Sequence, residues 1–187
     1  MVILYVCTGK KYDSWWVDNL KFMLYNHCVN GDFIDIRGIT EGEGSVYDKL
    51  KLFKEFRNQE QYLYFDLDLV IKSDISKLIR KKFTLLHAWW REPAHTPLNS
   101  SIMSWYGDMS IIYDKFYADE DYNRVKYWKG IDEYIYKEIK YYTYEKVCWS
   151  YMFDRQENTY PICLFNQSYD KMKKCQWAKK YILNEYN

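Results

Sequence analysis

The alternation of apolar and polar positions is clearest at residues 62–71, YLYFDLDLVI. Leu63, Phe65, Leu67, Leu69 and Ile71 alternate there with Tyr64, Asp66, Asp68 and Val70, a period of two that predicts a strand. Upstream, VILYVC (2–7) is a short apolar run that stops at Gly9, and FIDIRGI (33–39) reads as a second strand. Between them, Trp16, Leu20, Met23, Leu24 and His27 recur at helical spacing over 13–28, with Asp13 or Ser14 as cap. After a loop at 41–45, EGEGS, the segment 46–56 predicts a helix with Val46, Leu50, Phe53 and Phe56 facing inward. Strand, helix, strand, helix, strand is the order of an α/β protein with parallel strands.

Further along, the pattern predicts a short helix at 74–81, a strand at 83–90, a loop at 91–97 and a strand at 99–106. Helices are expected at 109–117 and 131–142, a last strand at 161–166 and a closing helix at 175–186. No internal repeat, linker or low-complexity tract interrupts the chain, so residues 1–187 are expected to form a single domain.

Composition changes this picture little. The chain is 48% hydrophobic with a net charge of +1, which supports a core and gives no electrostatic case for nucleic acid or an anionic membrane. Aromatic residues make up 20%, too many for one small core, so some rings must lie partly exposed. AT-rich coding bias accounts for such a share; stacking surfaces for sugars are the alternative. The five cysteines, Cys7, Cys28, Cys148, Cys163 and Cys175, have neither zinc spacing nor a compact disulfide pattern, and read as reduced thiols in a cytoplasmic protein. No signal peptide or membrane-spanning run is recognised.

Asp66 and Asp68 are the candidate chemistry. On a strand, positions i and i+2 share a face with backbones about 6.6 Å apart. A hard divalent cation binds carboxylate oxygen at about 2.0–2.2 Å, so two such acids at a strand end can grip one ion, directly or through water. An ion there also cancels the cost of burying two charges. Solvated acids, or acids paired with Lys and Arg, are the structural alternative.

TGKKY (8–12), VYDKLKLF (46–53), YLYFDLDLVIKSDI (62–75), LNSSIMSW (98–105), GIDE (130–133) and ICLFNQ (162–167) follow one another along the chain. In that order they resemble nucleotide-sugar glycosyltransferases of the GT-A fold, most closely the family-eight clan with its small bacterial and phage members. The resemblance runs from about residue 2 to 182. It implies a single GT-A-like, Rossmann-like domain with a central mixed, mostly parallel sheet flanked by helices. It also implies transfer of a sugar, with retained anomeric configuration, from a nucleotide-sugar, a UDP-sugar above all, to an unidentified glycan, protein or other acceptor. Asp66 and Asp68 then match the D-x-D that holds Mn²⁺ or Mg²⁺ against the donor diphosphate. Thr8, Gly9 and Tyr12 match the loop that meets the nucleoside; an ordinary strand-to-helix turn is the alternative. Lys49 matches a lysine near phosphate or the aspartates, and Lys171, with Lys173 and Lys174, stands near a phosphate-contacting lysine.

Asn99, Ser100 and Ser101 match the polar cluster that hydrogen-bonds the sugar, although such residues also favour turns. Asp132 matches an acid that contacts the transferred sugar or the acceptor, Glu133 stands where the family has glutamine, and the resemblance makes these two, with Asn99, the catalytic candidates. Either acid also suits a helix N-terminus. Asn166 replaces the family's histidine, the third metal ligand; a neutral amide is a weaker donor for transition metals, which shifts the expected preference toward Mg²⁺. His87 and His95 flank AWWREP within reach of a cleft, with a structural role as the alternative, and Trp89 and Trp90 are candidates for a sugar platform, with core packing as the alternative. Two rival readings accompany it. One is a haloacid-dehalogenase-type phosphohydrolase, whose D-x-D also ends a hydrophobic strand, though normally the first. The other is a non-catalytic nucleotide-sugar-binding protein on a decayed transferase scaffold, suggested by Asn166 and Glu133.

Overall fold

The computed structural model describes residues 1–27, 35–91 and 96–184. Two sheets organise it. The larger has six strands in the order β2-β1-β3-β6-β5-β7. These are β1 (Val2–Val6), β2 (Asp35–Ile39), β3 (Gln61–Phe65), β5 (Thr84–His87), β6 (Leu98–Tyr106) and β7 (Tyr142–Tyr144). β1 runs parallel to β2 and β3, and β7 parallel to β5, while β6 is antiparallel to both its neighbours. The smaller sheet is β4 (Leu69–Ile71), β9 (Ile162–Leu164) and β8 (Cys148–Ser150), in that order.

The period of two has a direct consequence in the large sheet. Ile3, Leu63, Phe65, Leu86 and Ile102 pack on one face with Trp16, Leu20, Met23 and Leu24 of helix α1 (Ser14–His27) and with the small sheet. Val2, Leu4, Tyr62, Tyr64, Leu85, Met103 and Trp105 pack on the other, against α2 (Lys51–Glu55), α3 (Ile111–Tyr117) and α5 (Ile131–Glu138). Both faces are therefore buried, and each fully buried large apolar side chain contributes about 1.5–3 kcal/mol. A further helix, α4 (Glu120–Lys126), had no counterpart in the sequence pattern.

Several expected elements differ. The strand expected to continue from 62 to 71 breaks after Phe65, and its second half, β4, belongs to the other sheet. The acids thus lie on a connection, not on one face of a continuous strand. Residues 46–50 form a 3-10 turn ahead of α2, with Ser45 and Asp48 closing a capping box. Its tighter winding leaves Val46 exposed while Tyr47, Leu50, Leu52 and Phe53 are buried. The helix expected over 131–142 ends at Glu138, and Tyr142–Tyr144, aromatic and β-branched, joins the sheet edge as β7. Of the expected helix at 175–186 only a 3-10 turn, Ala178–Lys180, forms within the described residues. Leu183 N instead donates to Asn19 Oδ1 of α1 at 2.8 Å, and Ile182 is buried, so tertiary contacts hold this segment.

Candidate active site

Asp66 and Asp68 stand where the two sheets meet. Asp66 N donates to Ser101 O (2.8 Å), one rung beyond β3 on the large sheet, and Phe165 N donates to Asp68 O (2.8 Å), one rung beyond β4 on the small sheet. The triplet between them carries the chain from one sheet to the other. This is the carboxyl end of β3, the end at which open α/β sheets take ligands.

The two carboxylates meet different surroundings. Lys49 Nζ lies 2.9 Å from Asp66 Oδ2 and 2.8 Å from Oδ1, and the Tyr64 hydroxyl donates to Oδ1. Burial opposes ionisation of Asp66, but Lys49 and hydrogen bonds from Tyr64 and Ser101 outweigh it and hold the carboxyl below its ordinary range. Asp68, 4% exposed, receives Lys11 Nζ at 3.0 Å and Tyr12 Oη at 2.7 Å, both on Oδ2. Burial, reinforced by the neighbouring Asp66, pushes its carboxyl up despite Lys11. Its other oxygen, Oδ1, is buried and has no hydrogen-bond partner among the described residues.

That oxygen decides whether a divalent ion suits the site. Among the described residues no group of three or more His, Cys, Asp or Glu side chains is arranged to hold a metal. The donors on hand are the two carboxylates and the Asn166 side chain, whose Oδ1 lies 3.5 Å from Ser101 Oγ. Asn166 directly follows Phe165, the residue bonded to Asp68, and has a φ of +45°, a left-handed conformation that asparagine tolerates better than most residues. An unpartnered buried carboxylate oxygen in such a place fits a cation. Asp66, Asp68 and Asn166 are the residues that would hold it.

The polar cluster at the start of β6 adjoins the acids. Ser100 and Ser101 are 2% exposed and Asn99 4%; Asn99 Oδ1 accepts from Ser101 N at 3.0 Å within the strand itself, so the cluster is part of β6 rather than a turn. Asp132 reaches the same strand end: its Oδ1 accepts from Ser100 N at 2.9 Å and its Oδ2 from Arg91 Nη1 at 2.8 Å. Both its oxygens are thus engaged. Glu133, 5% exposed, accepts from Lys129 N at 3.1 Å and from Lys137 Nζ at 2.7 Å, closing the first turn of α5. Its charge serves that helix.

Thr8 and Gly9 are tied to the loop at 41–45. Thr8 Oγ1 donates to Asp48 Oδ2 at 2.8 Å, and the same oxygen accepts from Gly44 N and Ser45 N. Gly9 has a φ of +69° and lies so close to Gly44 that a Cβ would come within 2.6 Å of its Cα. The glycine is explained by this backbone approach. Tyr12 packs on Trp16 and Tyr169 while its hydroxyl reaches Asp68. Lys171 is exposed on α6 (Tyr169–Met172). Lys173 lies over the Trp15 ring, and Lys174 is exposed. Trp89 contacts Trp90, Phe153 and Tyr160 and donates to Cys148 O. His87 is exposed, and His95 lies outside the described residues.

The structure therefore brings together Asp66, Asp68, Lys49, Tyr12, Ser101 and Asn166, and gathers Asn99, Ser100 and Asp132 beside them. Sequence reasoning missed Lys11, Tyr64, Asp48 and Arg91. Tyr64 had a signal, since it shares the i, i+2 face with Asp66; Lys11, one residue before Tyr12, had none beyond its place in TGKKY.

This architecture is the GT-A fold of glycosyltransferases. The chain is similar to a glycosyltransferase involved in the glycosylation of the major capsid of PBCV-1, with a TM-score of 0.65 and 9% identity over 93% of this chain and 100% of that one. The galactosyltransferase LgtC, in complex with donor and acceptor sugar analogs, superposes with a TM-score of 0.59 and 10% identity, over 88% of this chain and 87% of that one. GlyE of Streptococcus pneumoniae TIGR4 gives a TM-score of 0.60 and 10% identity over 88% of this chain, which spans only 54% of that one. No family model and no curated protein matches the sequence.

Proposed function

We propose that the chain is a single-domain, cytoplasmic glycosyltransferase that moves a sugar from a nucleotide-sugar, a UDP-sugar in particular, to a glycan, protein or other acceptor, and that it uses Mn²⁺ or Mg²⁺. One observation carries this reading: two carboxylates at the seam of a GT-A fold, one with a buried oxygen that nothing among the described residues satisfies. Asp66, Asp68 and Asn166 are its metal-holding residues, and the ion supplies neutralisation of the charge that grows on a departing nucleoside diphosphate. Lys49 keeps Asp66 ionised and oriented. Tyr12 sets Asp68 from the loop after β1, where Thr8 and Gly9 offer backbone to the nucleoside. Asn99, Ser100 and Ser101 face the sugar in this reading. Asp132 orders that strand end through Ser100 N rather than acting as a free base. Lys171, on the exposed surface of α6, is a candidate phosphate contact. Among the described residues no helix is long and apolar enough to cross a membrane.

Asp68→Asn tests the reading. It keeps the side chain's shape but removes the charge, so Mn²⁺-dependent hydrolysis of the UDP-sugar donor is expected to vanish while the melting temperature stays put. Unchanged hydrolysis in that variant overturns the proposal. The non-catalytic reading draws support from Asn166 in place of histidine; donor binding with neither hydrolysis nor transfer, in Mn²⁺ and in Mg²⁺ alike, selects it. A phosphohydrolase places its acids after the first strand, whereas these follow β3. Turnover of p-nitrophenyl phosphate that is lost in Asp66→Asn would restore that rival.

A further inference from the structure

We propose that Lys11 is a tethered cation of the donor site, one that neutralises Asp68 before a divalent ion arrives and moves to the donor diphosphate when the ion takes its place. This rests on the metal-dependent donor site proposed above. Lys11 Nζ is 3.0 Å from Asp68 Oδ2, and the two partners are unequal: the lysine side chain is 44% exposed, the aspartate 4%. The aspartate is fixed by packing. The lysine stands on a surface loop, with a flexible four-carbon stem that can reach outward. Its ammonium also lies 4.4 Å from the centre of the Tyr12 ring and 4.7 Å from that of Tyr169, so two aromatic faces hold it within the site when it leaves the carboxylate. Lys49 is built differently. At 16% exposed, bonded to both oxygens of Asp66 and set over the Tyr64 ring, it has no comparable freedom.

Charge counting points the same way. Two carboxylates and two ammonium groups cancel, so the site is neutral as it stands. A divalent ion adds two positive charges, which match the two negative charges of a nucleotide-sugar diphosphate. The sum closes only if Lys11 remains in the site. Yet it cannot remain on Asp68 beside the ion without strong repulsion, since a divalent cation and an ammonium group would then share one carboxylate in a partly buried site. The diphosphate is the acceptor that relieves both demands.

The test measures binding, not turnover. Free Mn²⁺ is followed by its electron paramagnetic resonance signal for wild type, Lys11→Met and Lys11→Arg, and UDP binding is followed by calorimetry in saturating Mn²⁺. Without nucleotide, Lys11→Met is expected to bind Mn²⁺ about tenfold more tightly, and to bind UDP about tenfold more weakly once Mn²⁺ is present. Lys11→Arg keeps the charge and is expected to retain UDP affinity. Circular dichroism and the melting temperature check that each variant is folded. Both affinities of Lys11→Met within about twofold of wild type, in a wild type that binds Mn²⁺ and UDP, overturn the role of Lys11 and leave the donor site standing. A wild type that binds neither overturns both.

Discussion

Asp66 and Asp68 are separated by one residue and each is held by one lysine and one tyrosine, yet the balance of effects on them is opposite. Around Asp66, Lys49 and the hydrogen bonds outweigh burial and favour the anion, whereas around Asp68 burial and its neighbour's charge outweigh Lys11 and Tyr12. Their neutral isosteres should therefore differ. Asp66→Asn strands the nearly buried Lys49 ammonium and is expected to cost about 2–3 kcal/mol, whereas Asp68→Asn is expected to cost less than about 1 kcal/mol. Urea unfolding of the two variants checks the ranking, and equal losses would contradict it. The acids themselves were legible, since a charged pair inside an apolar alternation is conspicuous. Their partners were not. Lys11 lies 57 positions from Asp68 in the chain, and Arg91 lies 41 from Asp132; pairings of that range are made by topology and leave no local pattern.

Among the elements, the loop after β1 and the loop at 41–45 depend on one another. Gly9→Ala would drive a methyl into the Gly44 backbone at a positive φ, with an expected loss of about 2–3 kcal/mol and a melting temperature lower by about 5–10 °C, read by calorimetry. The helical layer has its own knot at Glu138 of α5, which accepts from Lys126, Tyr127 and Lys115 of the neighbouring segments. Hydrogen bonds from Lys115, Tyr127 and Lys126 hold its carboxyl down to about 2. A depressed acid contributes its stability above its unfolded value near 4.3 and loses it as the pH falls toward 2. Screened by solvent, that contribution is about 1–2 kcal/mol. Glu138→Gln should remove it, so that stability curves of variant and wild type draw together as the pH falls from about 4 and converge only below about pH 2. Helix α1 could be read from periodicity because it buries a regular face, β3 from the alternation that starts at Tyr62, and β1 from its short apolar run. The break after Phe65 could not, since Leu67, Leu69 and Ile71 continue the same alternation into a different sheet. The end of α5 was hidden as well, because an aromatic run serves a helix face and a sheet edge equally.

At the scale of the whole molecule, the GT-A architecture supplies two sheets that converge on one short connection, and ligand affinity is expected to appear as global stability. Mn²⁺ with UDP at a hundred times its dissociation constant should stabilise the fold by about 2.7 kcal/mol, or about 5–10 °C in melting temperature. Mn²⁺ and UDP without any such shift, at concentrations that saturate related donor sites, would count against the donor site. The alternation of strands and helices pointed to the parallel strands of the large sheet's first half, but the order of its strands was not legible. The antiparallel β6 pairs with its sequence neighbour β5 on one side, but its pairing with β3 on the other, Phe65 with Ile102, joins positions distant in sequence.

Only one residue, Leu67, separates the last rung of the large ladder from the first rung of the small one. A cation seated there would act as a rivet through both plates. Backbone deuterium uptake at Phe165 and Asp66 should then slow together on adding Mn²⁺ alone, before any sugar is offered, and a chelator should release both at once.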